Sequence, residues 1–241
     1  MLHEPRLTQG YQLIHYHRVG YAGSSRATGP VSIGDQAAQA RALLRYLGID
    51  RAHVVGHSSG GNIALQLARD APETVATLTL LEPALVAAPS NATFFAEKVV
   101  PTLNQFQAGD RAGAVDTYMR AVAGPEYRTV AEQALPPGAL AQAEADAATF
   151  FGIELPSVRQ WTFAAEDAAR IDQPVLAVLG ADSPALSPVF AERQHLLLTW
   201  LPGAEPFVLP GATHLLHLQN QRALVDALAD FFGRHPLTTG G

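Results

Sequence analysis

Short aliphatic and β-branched runs alternate with longer stretches of helical spacing along the first third of this chain. Tyr11 to His17 alternates loosely through Leu13, Ile14 and Tyr16 and predicts a strand. A polar, glycine-rich loop runs from Gly20 to Pro30. Ala37, Ala40, Leu43, Leu44 and Leu47 then recur at helical spacing. Ser32 or Asp35 is placed to cap that helix and Gly48 to end it. His53 to Val55 predicts the next strand. A helix follows to Asp70, with Pro72 just past its end. Val75 to Leu81 predicts a buried strand that stops at Glu82 and Pro83.

The alternation then breaks. From about 85 to 171 the pattern is helical with proline and glycine interruptions, and predicts helices at about 93–107, 111–123, 138–151 and 164–169, the second capped by Asp110. Pro174 to Leu179 returns to strand character, 188–198 predicts a helix, and Glu205 to Leu209 a last strand. His214 lies in the loop beyond, before an amphipathic helix at about 220–235 and a loose PLTTGG tail. Strand and helix in this order predict an α/β fold, a mostly parallel sheet covered on both faces. Residues 1–84 and 172–241 would form its core, and 85–171 a helical cap over it.

Composition narrows the function classes. A net charge of −6 without a dense basic block argues against nucleic-acid binding. The absence of cysteine excludes disulfides and thiolate metal sites. The first ten residues lack a signal-peptide pattern, and no apolar run is long enough to span a bilayer. A cytoplasmic protein with a small-molecule substrate, no membrane and no nucleic-acid partner is the expectation.

The chemistry concentrates at Gly56-His57-Ser58-Ser59-Gly60, a G-x-S-x-G motif between a predicted strand and a predicted helix. A serine on such a corner has its hydroxyl exposed, beside a helix N-terminus that favours developing negative charge. Nucleophilic catalysis then needs an imidazole to take the proton and a carboxylate to orient it. His214 is the candidate base and His217 the lesser one. His57 is expected to pack beside the corner. Glu82 and Asp182 each follow a strand and are the candidate acids, with Glu205 a weaker choice. No metal or organic cofactor is implied.

With these residues in the order serine, acid, late histidine, and a helical insert after Glu82, the chain resembles the capped α/β-hydrolase fold superfamily over nearly its whole length. Gly20-Tyr21-Ala22-Gly23-Ser24 resembles the family's Gly-Tyr-Gly-x-Ser loop. Gly56 to Gly61 resembles the nucleophile elbow, and Gly211-Ala212-Thr213-His214 the histidine loop. A serine nucleophile is unlike the dehalogenase and epoxide hydrolase branches, which use aspartate there. The resemblance implies Ser58 as nucleophile, His214 as base and the backbone N–H of Ser59 as oxyanion donor. For the acid it favours Glu82 slightly over Asp182, because Ser183 stands where many members carry the acid.

The family's earlier strands and their His-Gly oxyanion loop have no counterpart ahead of Tyr11. The expectation is therefore an N-terminally truncated sheet, with an exposed edge open to a partner such as a second copy of the chain. One lost oxyanion donor costs about 2.7–4 kcal/mol of transition-state stabilisation. The leading expectation is a serine esterase-like hydrolase of a small, fairly apolar acyl substrate. A non-catalytic binding or scaffold module, and a carbon–carbon bond hydrolase or cofactor-free peroxidase, are the alternatives.

Overall fold

The computed structural model describes residues 4–237. Most of the tail read as loose, from 238 onward, lies outside the described residues. Four parallel strands form one sheet in the order β1 (Ala52–His57), β2 (Val75–Leu81), β3 (Val175–Gly180), β4 (Glu205–Leu209). The chain crosses over between each pair, so helices cover both faces. Alternate residues of β3 show this division. Val175 and Ala177 join a core with Ile63, Leu67 and Leu197, whereas Leu176 and Val178 join Leu224, Leu228 and Phe231. The central strands β2 and β3 are buried along their full length.

Several boundaries follow local chemistry. Ser32 caps helix Ile33–Tyr46 through a reciprocal capping box with Asp35. Asp110 caps Arg111–Ala123 by accepting from the Gly113 N–H at 2.9 Å. In the region expected to form a cap, the predicted 93–107 helix is split by a π-helical turn at Phe95–Val99, two residues before Pro101. A second π turn, Phe150–Glu154, likewise precedes Pro156 and breaks the predicted 138–151 helix. Proline removes one ladder donor and crowds the carbonyl four residues earlier, and a widened turn relieves both. Helix Tyr127–Ala134 was missed in the sequence, although Tyr127, Val130, Ala131 and Ala134 recur at helical spacing. This region packs its own apolar cluster, including Phe94, Val122 and Phe151, against Leu179 and Leu215 beyond the strand ends.

Tyr11–His17 corrects the sequence reading. It carries no strand ladder. Tyr11 instead packs edge-on to His53 and Phe232, at 5.7 and 5.5 Å between ring centroids. Side-chain contact holds the segment beside the sheet without backbone pairing. Strand β1 consequently pairs with β2 alone among the described residues, and its Val55 is 37% exposed.

The corner after β1 depends on two glycines. A Cβ at Gly56 would meet the Gly60 carbonyl oxygen at 2.4 Å and Ala64 Cβ at 2.8 Å, and one at Gly61 would meet Pro83 Cβ at 2.6 Å. Strand and helix cross too closely there for any side chain. Gly56→Ala is expected to lower unfolding free energy by about 3 kcal/mol, read from urea denaturation, because backbone cannot yield as a flexible side chain would.

Candidate active site

Three backbone singularities frame the site. Ser58 has φ +53° and ψ −122°, Glu82 has φ +45°, and Ala22 has φ +45°. Side chains rarely adopt this region, at a cost of about 1–3 kcal/mol each. At Ser58 the strain comes from reversing direction between β1 and helix Ser59–Asp70 within one residue. The corner is held by Ser58 N–H donating to Leu81 O at 3.0 Å, which ties it to the end of β2. Ser59, as the first helical residue, has a backbone N–H without an intrahelical acceptor.

Glu82 is 3% exposed and directly continues β2. Its Oε1 accepts from Gly180 N–H at 2.8 Å and its Oε2 from His214 Nδ1–H at 2.6 Å. Both carboxylate oxygens are thus engaged, and the His214 tautomer is set with the proton on Nδ1 and the lone pair on Nε2. His214 is also fixed from behind, where His57 Nε2–H donates to its carbonyl at 2.7 Å. His57, Ser58, Ser59 and His214 line one cavity of about 290 Å³, whose other walls include Phe94, Val122 and Phe190. No hydrogen bond joins the Ser58 hydroxyl to His214 among the described residues.

The other candidates lie elsewhere. Asp182 is exposed; its backbone N–H donates to Ala212 O at 2.9 Å, and its carboxylate makes no hydrogen bond to His214 among the described residues. Glu205 is exposed and pairs with Arg234. His217 packs against His57, 4.8 Å between ring centroids.

A buried polar network beside the corner was missed in the sequence. Glu154, 5% exposed, accepts from Arg18 at 2.7 Å and from the hydroxyls of Tyr21 and Ser59. It joins the glycine-rich loop and the second π turn to the residue after the corner. Its only sequence signal is an acid within an apolar FFGIEL run. Arg193, buried on helix Val189–Trp200, was missed as well. It stands among Val189, Phe190 and Leu197 on the inward side, and that misplaced charge was legible.

The histidines make a pH prediction. Burial first, and then the His214 and His217 rings, hold His57 well below its ordinary 6.5, and burial holds His217 at about 4. Between these values the unfolded chain takes up protons that the native state refuses. Stability is therefore full above about pH 6.5 and falls with acidification, by about 1.4 kcal/mol per pH unit for each such histidine. Urea denaturation from about pH 7 down to about pH 5 should show this loss, with a shallower slope in His217→Asn.

Comparison with known proteins bears on the family and the fold. The profile of the alpha/beta hydrolase fold family matches residues 4–221. RutD of Azorhizobium caulinodans, which bears the name of a carbamate hydrolase, is 40% identical over 75 residues, 31% of this chain and 28% of that protein. The match thus spans less than a third of that relative's length. A hydrolase structure from Pseudomonas aeruginosa PA01 superposes with a TM-score of 0.71 at 24% identity, covering 95% of this chain and 82% of that one. Est816, an N-acyl homoserine lactone degrading enzyme, superposes with a TM-score of 0.64 at 24% identity, covering 89% and 80%. No described helix is long and apolar enough to cross a membrane. With its elbow serine, parallel sheet and a family profile that matches most of its length, the chain belongs to the alpha/beta hydrolase fold family.

Proposed function

We propose that this protein hydrolyses an acyl compound, an ester or lactone, through an acyl-enzyme on Ser58. The observation that carries the reading is the buried Glu82–His214 pair at 2.6 Å, with its imidazole lining the same cavity as Ser58. In the reaction, His214 Nε2 takes the Ser58 proton as the hydroxyl oxygen attacks the carbonyl carbon. Glu82 stabilises the imidazolium, and Ser59 N–H, at a helix N-terminus, faces the developing oxyanion. His214 then returns the proton to the departing alkoxide. Water, deprotonated by the same nitrogen, releases the acid.

The names of RutD and Est816 support acyl chemistry of this kind: carbamates and lactones both present a carbonyl bonded to a heteroatom leaving group. The test is covalent labelling with a fluorophosphonate, read by mass spectrometry. The expected result is one adduct on Ser58, lost in Ser58→Ala and slowed in His214→Gln. An unlabelled Ser58 in folded protein, with no ester turnover, would overturn the reading and leave a binding module with the same fold.

A further inference from the structure

The cavity contains a cation that acyl transfer does not use. Arg193 is 7% exposed and lines the same cavity as Ser58 and His214. Its Nε donates to Leu85 O at 3.1 Å and its Nη2 to Asn91 Oδ1 at 2.8 Å, and both acceptors are uncharged. Its Nη1 has no hydrogen-bond partner, and the guanidinium no ion-pair partner, among the described residues. The two acids whose fields reach it are committed elsewhere. Glu82 holds His214 and the Gly180 N–H, and Glu192 accepts from Ser90 N–H at 2.7 Å and Ser90 Oγ at 2.6 Å. Burial pulls the guanidinium down to about 10, which leaves it charged at neutral pH. Arg18, on the same cavity, differs because Glu154 neutralises it.

A second free donor lies on this wall. Tyr118 lines the cavity, and its hydroxyl has no partner among the described residues. Burial pushes this phenol up to about 12, so it remains protonated. Buried guanidinium groups are normally matched by an anion, and a carboxylate fits the guanidinium fork.

We propose that the substrate carries a carboxylate, separate from the bond that is cleaved, and that Arg193 pairs with it, with Tyr118 as a further donor. The substrate class is then a short ester or lactone bearing a free acid. This rests on the acyl-hydrolase reading of Ser58 and specifies the substrate of that site. A purely structural Arg193, which ties Leu85 and Asn91 to its helix and sits 5.6 Å over the Phe94 ring, would give no preference for charge.

The experiment compares kcat/KM of the intact protein for matched ester pairs over a series of chain lengths. Monomethyl dicarboxylates are set against methyl alkanoates for an acid on the acyl side, and acetylated hydroxy acids against alkyl acetates for one on the alcohol side. The acidic member should be preferred by about 10- to 100-fold in one of the series. Arg193→Gln should cut that ratio by a similar factor, and Tyr118→Phe by a smaller one. Turnover of both members at equal rates at every length overturns the proposal and leaves the hydrolase reading standing. Calorimetric titration of Ser58→Ala with the free dicarboxylates, against their diamides, keeps the two separable. Binding of the acids alone, without ester turnover by the intact chain, supports the anion site and removes the hydrolase. Binding of neither overturns the anion site. The comparisons within the unsubstituted chain hold even if Arg193→Gln fails to fold.

Discussion

Replacing Ser58 with alanine is expected to lower kcat/KM for any ester the protein cleaves by about 10⁴-fold or more. The size follows from what the serine does alone. No other hydroxyl is presented on the strained corner, and the Ser59 side chain is turned to Glu154. With the nucleophile gone, His214 can activate only water, which has no fixed position against the carbonyl. The fold should survive, because alanine keeps the same Cβ in the same backbone and the Ser58 hydroxyl supports no neighbour. A melting temperature within a few degrees of the unmodified chain checks this. Ser58→Gly removes the Cβ from a residue at φ +53° and should be more stable than Ser58→Ala by about 1 kcal/mol. That comparison measures the strain held at the corner.

Glu82→Gln is the second large effect, with kcat expected to fall about 10³- to 10⁴-fold. The carboxylate accepts twice, from Gly180 N–H and from His214 Nδ1–H. A glutamine side chain offers one acceptor oxygen and one donor nitrogen, so one of these two partners must face a donor. If His214 yields, its ring carries the proton on Nε2 and cannot take the proton of Ser58 during attack. If Gly180 yields, a buried N–H loses its acceptor, at about 1–3 kcal/mol of stability. Either way the imidazolium formed during attack loses its counter-charge. Asp182→Asn should change kcat by less than about threefold, since that residue is exposed and makes no hydrogen bond to His214 among the described residues. Steady-state kinetics on the two variants side by side assign the acid. Equal losses would remove Glu82 from that role.

Much of this was legible because the decisive residues sit next to chain features that sequence displays directly. Gly56, Ser58 and Gly60 mark a tight corner between two periodicities, and Glu82 ends an uninterrupted aliphatic run. Glu82 and Asp182 both follow a strand, so the residues alone left the acid open; the family resemblance leaned to Glu82, which hydrogen-bonds His214 in the structure. The features that escaped are those made by tertiary context. Tyr11–His17 has the alternation of a strand, but alternation describes faces and is silent about whether a neighbour exists to pair with. Glu154 reaches Arg18, Tyr21 and Ser59 across more than ninety residues, a convergence no local pattern encodes. The π turns at Phe95–Val99 and Phe150–Glu154 were readable in part, since Pro101 and Pro156 stand two residues beyond them. Periodicity alone predicted continuous helix.

The bond from Ser58 N–H to Leu81 O has a mechanical consequence. The corner hangs from the last rung of β2, and the next residue, Glu82, donates its own N–H to Val178 O of β3 at 3.1 Å. Nucleophile and acid are therefore mounted on one stiff plate, and thermal breathing carries them together. His214 comes from another element, the loop after β4, and is clamped to that plate by Glu82 at its ring and by His57 at its carbonyl. Amide exchange should be slow at Ser58 and Glu82 and faster across Gly211 to Leu215, so the outer part of the loop can move while the catalytic geometry holds.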